Sequence, residues 1–445
     1  MRQFIAWVSH PVRIIPLAYL GVIAFGTVLL SLPVATNSGH STHVLDSAFT
    51  SVSALCITGL AVVPADHWSH FGQVVILGLI EAGGFGIVTV AGLLTMLATG
   101  RLTLRHSMVA GYELHSRSIG DAWRLPMRIG VVMLLVQSVT ASLLSLGFRQ
   151  HTDSWPQAIW YGVFHAISAF NNAGFALRNN SLMDYVGDPM VILPICIAII
   201  VGGLGFPVLL ELWRRLRGKR VPLSVHARLT LAGTVILLVI GVVGFAIFEW
   251  NNPGTLGPLD LAGKVWGSVA GGVVPRTAGF NSVDYAQLTD PNIGMQYGLM
   301  MVGGGSVGTA GGLKVSTVAI VVAMVLAEVR GEDQAIVGGR AIPAAVQRTA
   351  AAVLLLAIAV VFLSALFIVD DSEFTLQAAL FEAISAFATV GLSMGITGLL
   401  PPESKAVLMM LMFLGRVGIV TVATAFALRQ RHRRYSLPEE APLVG

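Results

Sequence analysis

Apolar runs long enough to cross a bilayer recur along this 445-residue chain, and they constrain its fold more than any other feature. They lie at about 14–35, 73–98, 127–148, 189–213, 228–250, 293–327, 349–369 and 405–428. A hydrocarbon core about 30 Å thick takes roughly 20 apolar residues of helix. The sequence therefore predicts an all-α membrane protein with eight spanning helices, the sixth of them broken. The first run is too long for the apolar core of a signal peptide and reads as a span. Charged residues make up 11% of the chain, against roughly 25% in a soluble domain, which excludes disorder and argues against a soluble fold. The cysteines, Cys56 and Cys196, lie in apolar segments, with no disulfide framework or zinc spacing. No basic arm with interleaved aromatics points to nucleic acid.

Lysine and arginine orient the spans. The N-terminus, the segments 99–128, 213–228 and 327–348, and the tail together carry 20 of them, and the alternate segments only Arg149, Arg178, Lys264 and Arg276. Both termini are expected on the cytoplasmic side. The outer segments hold 12 Asp and Glu, which predicts an acidic mouth that concentrates cations.

The outer segments are not plain loops. Each holds a stretch too short to span, at 46–56, 157–170, 261–275 and 376–388, begun near Asp46, Ser154, Asp260 and Ser372 or Thr375. Each stretch ends in a glycine tetrapeptide: Ile57-Thr58-Gly59-Leu60, Asn172-Ala173-Gly174-Phe175, Thr277-Ala278-Gly279-Phe280 and Thr389-Val390-Gly391-Leu392. A second glycine motif follows in the next span, at Gly83-Gly84, Gly202-Gly203, Gly303-Gly304 and Gly415-Arg416, at offsets of 25, 29, 25 and 25 residues from the turn glycine to its second position. The unit is span, short pore helix, glycine turn, span, repeated over 10–98, 99–213, 214–328 and 329–428, with a tail at 429–445. Non-helical backbone at membrane depth must be buried or line water, and a re-entrant turn offers carbonyl oxygens that replace the hydration shell of a cation. Four turns about a pseudo-fourfold axis give a ring. Ser53, Ser168, Ser268 and Ser385 are placed to support the turns with their hydroxyls. The competing reading of any single glycine is a helix-packing contact.

These residues resemble the Ktr/Trk/HKT superfamily of potassium and sodium transporters, closest to the KtrB-type membrane subunit, over about residues 10–430. Thr389-Val390-Gly391-Leu392 is nearest to the potassium-channel filter. Trk-type relatives generally carry two additional N-terminal helices, and a sequence that starts directly with the first repeat favours the Ktr type as an expectation. The resemblance implies a pore for monovalent cations in each subunit of a homodimer, with a cytoplasmic nucleotide-binding, KtrA-like ring that gates it. Relatives with serine in the first turn tend to favour sodium; Gly59 stands there, so the resemblance favours potassium, held at the turn carbonyls, with no bound cofactor. The basic run Arg214–Arg220 suits a docking surface for such a ring, or a positive-inside anchor.

Two features suggest a gate. Gly303-Gly304-Gly305-Ser306-Val307-Gly308-Thr309-Ala310-Gly311-Gly312 has too many glycines for a straight helix, each costing about 1 kcal/mol against alanine. The resemblance implies a movable loop below the filter, and the alternative is a static kink. Its Gly303-x-Gly305-x-x-Gly308 lies in a span, without the βαβ unit that dinucleotide binding needs, and Lys314 is not part of a phosphate loop. Arg416 stands where the other repeats have glycine; a charge at depth usually faces the bundle interior or water, and below a cation filter it forms an electrostatic barrier or satisfies carbonyls structurally. Glu81 is either a cation-attracting or inter-repeat carboxylate, or pairs within the bundle. His40, His43, His67 and His70 have no metal spacing and read as solvated. An ion-coupled secondary transporter is the competing class, but such folds place acidic ligands at midplane in inverted repeats. No constellation for an enzyme is present.

Overall fold

The computed structural model describes residues 11–86, 124–218 and 222–418. The helices α1 (Pro11–Leu30), α2 (Val44–Leu55) and α3 (His70–Phe85) come first. Next come α4 (Arg124–Phe148), α5 (Trp155–Phe170), α6 (Pro189–Gly203) and α7 (Phe206–Leu216). They are followed by α8 (Val225–Glu249), α9 (Leu261–Val273), α10 (Asp290–Met301) and α11 (Val315–Val329). A minimal antiparallel hairpin, β1 (Ile336–Val337) and β2 (Arg340–Ala341), precedes α12 (Ala344–Asp371), α13 (Leu376–Phe387) and α14 (Pro402–Val417). Gly338 and Gly339 join its strands with φ of 58° and 77°, the left-handed pair a two-residue hairpin turn requires.

The long helices are apolar all round and lie at the periphery. Only 17% of the most apolar window of α8 is buried, and Leu134, Ile236 and Leu355 on α4, α8 and α12 are exposed. Such a surface matches lipid. Inside, the short helix α2 buries Ser47, Thr50, Ser51 and Ser53, so the polar groups face inward. Sequence capping signals set the short helices. Asp260 accepts from the Gly263 amide and Thr375 from the Ala378 amide, the N-cap bonds that satisfy an orphan donor. At α2 the cap is His43 rather than Asp46, which sits in the first turn.

Among the described residues, three helices, α4, α8 and α12, have the length and composition to cross a membrane alone. The pair α6 and α7 passes only as a unit bent by 104°. The other expected runs are either interrupted at glycine or only partly within the described residues. Gly86 ends α3 with φ 87°, Gly205 separates α6 from α7 with φ 87°, and Gly418 ends α14 with φ 94°. These conformations are open to glycine and stop a helix. The chain between α10 and α11 is also non-helical. The expected break in the sixth run is therefore joined by one in the fourth, and the described helices of the second and eighth runs end at Gly86 and Gly418. The remainders of the second and eighth runs, 87–98 and 419–428, fall outside the described residues.

The short helices and their successors interlock in a closed order. α3 packs on α5, α6 on α9, α10 on α13, and α14 returns to α2. Close approach needs small residues. A Cβ added at Gly83, Gly202 or Gly415 would fall on the carbonyl oxygen of Leu55, Phe170 or Phe387, the last residues of α2, α5 and α13.

Candidate cation pathway at the glycine turns

The four tetrapeptides are brought together. Ile57, Asn172, Thr277 and Thr389 all have positive φ, at 52°, 57°, 68° and 50°, and so do Gly59, Gly174, Gly279 and Gly391, at 70° to 94°. Positive φ at β-branched Ile57, Thr277 and Thr389 is a genuine outlier, costing on the order of 1–3 kcal/mol each. The backbone thus repeats one strained shape four times. The intervening Thr58, Ala173, Ala278 and Val390 are buried, as are Leu60, Phe175, Phe280 and Leu392.

The turns also meet in order. A Cβ added at Gly59 would collide with the Ala173 carbonyl oxygen, at Gly174 with that of Ala278, at Gly279 with that of Val390, and at Gly391 with that of Thr58. Each turn glycine therefore touches the next turn, and the last touches the first. On one side they floor a cavity of about 520 Å³. Among its lining residues Asp284 is the single carboxylate and Arg178 the single cation. Arg178 pairs with Asp184 at 3.0 Å. A hydrogen bond from Asn180 and the Arg178 guanidinium hold the Asp184 carboxyl below the ordinary carboxylate range. The acidic outer segments do not gather their carboxylates at this cavity.

Serines brace three of the turns. The Gly59 amide donates to Ser53 Oγ (3.1 Å), which donates to the Leu60 carbonyl (2.7 Å). Ser168 Oγ donates to the Phe175 carbonyl (2.8 Å), and the Gly391 amide donates to Ser385 Oγ (3.1 Å). Ser268 instead donates to the Lys264 carbonyl within its own helix. The reason is register. The bracing serines lie six residues before their glycines, and six before Gly279 stands Val273.

The glycine-rich segment lies against the α6–α7 junction and the fourth turn. The Gly303 amide donates to the Leu313 carbonyl (2.8 Å), the Gly305 amide to the Gly203 carbonyl (2.8 Å), and the Phe206 amide to the Val307 carbonyl (3.1 Å). Added Cβ atoms at Gly304, Gly305 and Gly308 would meet backbone of Gly203, Leu204 and Gly205, those at Gly311 and Gly312 would meet Thr389 and Ala388, and that at Gly303 the Gly311 carbonyl oxygen. Ser306 and Ser316 share a hydroxyl contact at 3.2 Å, and Thr309 Oγ1 donates to the Phe170 carbonyl. Arg416 donates to the Thr309 carbonyl (2.6 Å) and to the Gly83 carbonyl, and Lys314 Nζ to the Ala310 carbonyl (2.5 Å). Both cations thus bind backbone of this segment.

Glu81 accepts from Asn171 (2.7 Å) and Gln137 (3.0 Å), so its partners lie in the 99–213 stretch and it ties α3 to α4 and the end of α5, as an inter-repeat carboxylate would. The sequence reading grouped Glu382 with the outer acids. It is fully buried in α13 and accepts from Ser393 and from Thr397 (2.9 Å), fixing the strand that leaves the fourth turn. An acidic residue inside an otherwise apolar short helix was the signal for it. The histidines disperse. His43 caps α2, His67 bonds Thr42 at 2.8 Å and His70 meets the Trp160 ring edge-on.

Comparisons with known proteins show the family and the overall fold. The chain matches the TrkH cation transport protein family over residues 2–435. It is 38% identical to the Ktr system potassium uptake protein B of Bacillus subtilis (strain 168), covering 96% of this chain and 95% of that one. Identity to the Ktr system potassium uptake protein B of Vibrio alginolyticus is 34%, covering 97% and 94%. The potassium/sodium uptake protein NtpJ of Enterococcus hirae is 35% identical, covering 98% and 97%. The crystal structure of the potassium transporter TrkH from Vibrio parahaemolyticus superposes with a TM-score of 0.68 at 18% identity, covering 92% of this chain and 84% of that one. A fold of this kind, carried by a sequence matched almost end to end, places the chain in the TrkH family of cation transport proteins.

Proposed function

We propose that this chain is the membrane subunit of a Ktr-type potassium uptake system. Four repeats, 10–98, 99–213, 214–328 and 329–428, surround one pore about a pseudo-fourfold axis, with α2, α5, α9 and α13 as pore helices. The observation that carries this reading is the closed cycle of four left-handed glycine turns, each touching the next. Carbonyls of Ile57–Leu60, Asn172–Phe175, Thr277–Phe280 and Thr389–Leu392 replace the water around a potassium ion. Below them Gly303–Gly312, held by Lys314 and Arg416, obstructs the path and gates it. The positive charge of Arg416 adds an electrostatic barrier to a cation.

The relatives named for potassium uptake support the choice of ion, and the relative named for potassium and sodium keeps sodium as the second reading. Coupled transport through an intramembrane acid has less support, because Glu81 is spent on two amides. By family resemblance the subunit forms a homodimer in the bilayer of a prokaryotic plasma membrane, both termini cytoplasmic, and binds a nucleotide-binding, KtrA-like ring. The test is uptake of potassium and sodium in a potassium-transport-deficient host, comparing wild type with Gly279→Ser and Gly391→Ser. Both variants are expected to lose potassium affinity or selectivity. Unaltered discrimination in both, at normal expression, overturns the filter.

A further inference from the structure

The residue just before each turn is Cys56, Asn171, Arg276 or Ala388, so one turn alone is entered through a charge. Arg276 is 6% exposed. A buried guanidinium is costly unless its donors find partners. Its Nη2 donates to Thr234 Oγ1 on α8 at 3.3 Å, while Nε has no hydrogen-bond partner. It lines a cavity with Gly203, Val273, Leu238 and Gly304, of about 10 Å³. That is the room of a single water, too little for a hydrated counter-ion, so the charge acts on the protein around it.

The third turn is also the one built differently. In the other three, the amide of the second residue donates back to the bracing serine: Thr58 to the Ser53 carbonyl, Ala173 to Ser168 and Val390 to Ser385, each at 2.8 Å. In the third, Ala278 donates to the Val274 carbonyl at 3.0 Å, one residue closer, and no serine stands six residues before Gly279.

We propose that Arg276 is a positioning residue that replaces the missing serine, bracing the third glycine turn against α8 through Thr234. This rests on the reading of the turns as a potassium filter. A bare charge beside the filter would repel potassium, so its removal would tighten binding; a brace predicts the reverse. Arginine's planar fork is not reproduced by lysine, so charge and brace separate experimentally.

The experiment is potassium and sodium uptake in the same deficient host by Arg276→Gln, Arg276→Lys and Thr234→Val, with Gly279→Ser alongside. Loss of a hydrogen bond to a charged group predicts an apparent KM for potassium raised about tenfold in Arg276→Gln. Vmax is expected within about twofold of wild type on the same grounds. Thr234→Val is expected to shift KM and the sodium-to-potassium ratio in the same direction, by about threefold, with Arg276→Lys following Arg276→Gln. If Arg276→Gln does not reach the membrane, Thr234→Val and Arg276→Lys decide. Native or lowered KM in these variants overturns the brace while Gly279→Ser still loses selectivity. If Gly279→Ser is also native, the filter reading itself fails.

Discussion

Arg416 was legible as an exception to a pattern: three repeats place glycine where it stands, and a lone exception at depth invites a role. The structure adds its partners, the carbonyls of Thr309 and Gly83, which belong to the glycine-rich segment and to the end of α3. Arg416→Ala is expected to raise cation flux about tenfold, the rate change of about 1.4 kcal/mol of barrier, measured as initial uptake at matched expression; unchanged or abolished flux counts against a barrier. Other residues were less legible because their meaning depends on partners far along the chain. Glu81 is separated from Gln137 by 56 residues and from Asn171 by 90. Arg276 and Glu382 fell into outer segments, Glu382 inside the short helix expected at 376–388 and Arg276 just after the one at 261–275, where hydropathy does not distinguish a solvated charge from one folded back into the protein.

At the scale of elements, the short helices and their turns were readable from length, caps and glycine, since local chemistry decides each. What escaped, the break in the sixth run apart, was where the helix that follows each turn stops. A glycine pair in an apolar run reads equally as a packing contact and as a stop, and Gly83, Gly202 and Gly415 do pack, while Gly86, Gly205 and Gly418 stop the helix a few residues later. The serine braces give a graded test. Ser53→Ala and Ser385→Ala each remove the acceptor of a turn amide, and about 1 kcal/mol of stability is expected to go with it, read as a lowered thermal midpoint and weaker potassium uptake. Ser268→Ala, whose hydroxyl serves its own helix, is expected to behave as wild type. An equal effect at all three positions would mean that the register assigned to the third turn is wrong.

The molecule as a whole is a ring closed by contacts between parts of the chain more than 100 residues apart, such as Gly59 with Gly174 and Gly279 with Gly391. The repeat spacing announced that four like units exist; it did not say that their turns touch in sequence order, because closure is a property of packing between units. The expected acidic mouth is not gathered at the cavity above the turns, where Asp284 is the one lining carboxylate and Arg178, the one lining cation, is already paired with Asp184. The central claim is that the closed cycle of turn carbonyls is a potassium site. Its most direct test is the thermal stability of the purified protein titrated with potassium, sodium or choline chloride at constant ionic strength. A ligand bound only by the native state raises the midpoint in proportion to the logarithm of its saturation. The account predicts a rise with potassium at lower concentration than with sodium, none with choline, and loss of the potassium response in Gly279→Ser and Gly391→Ser. Equal midpoints in all three salts, or an undiminished potassium response in both variants, would contradict it.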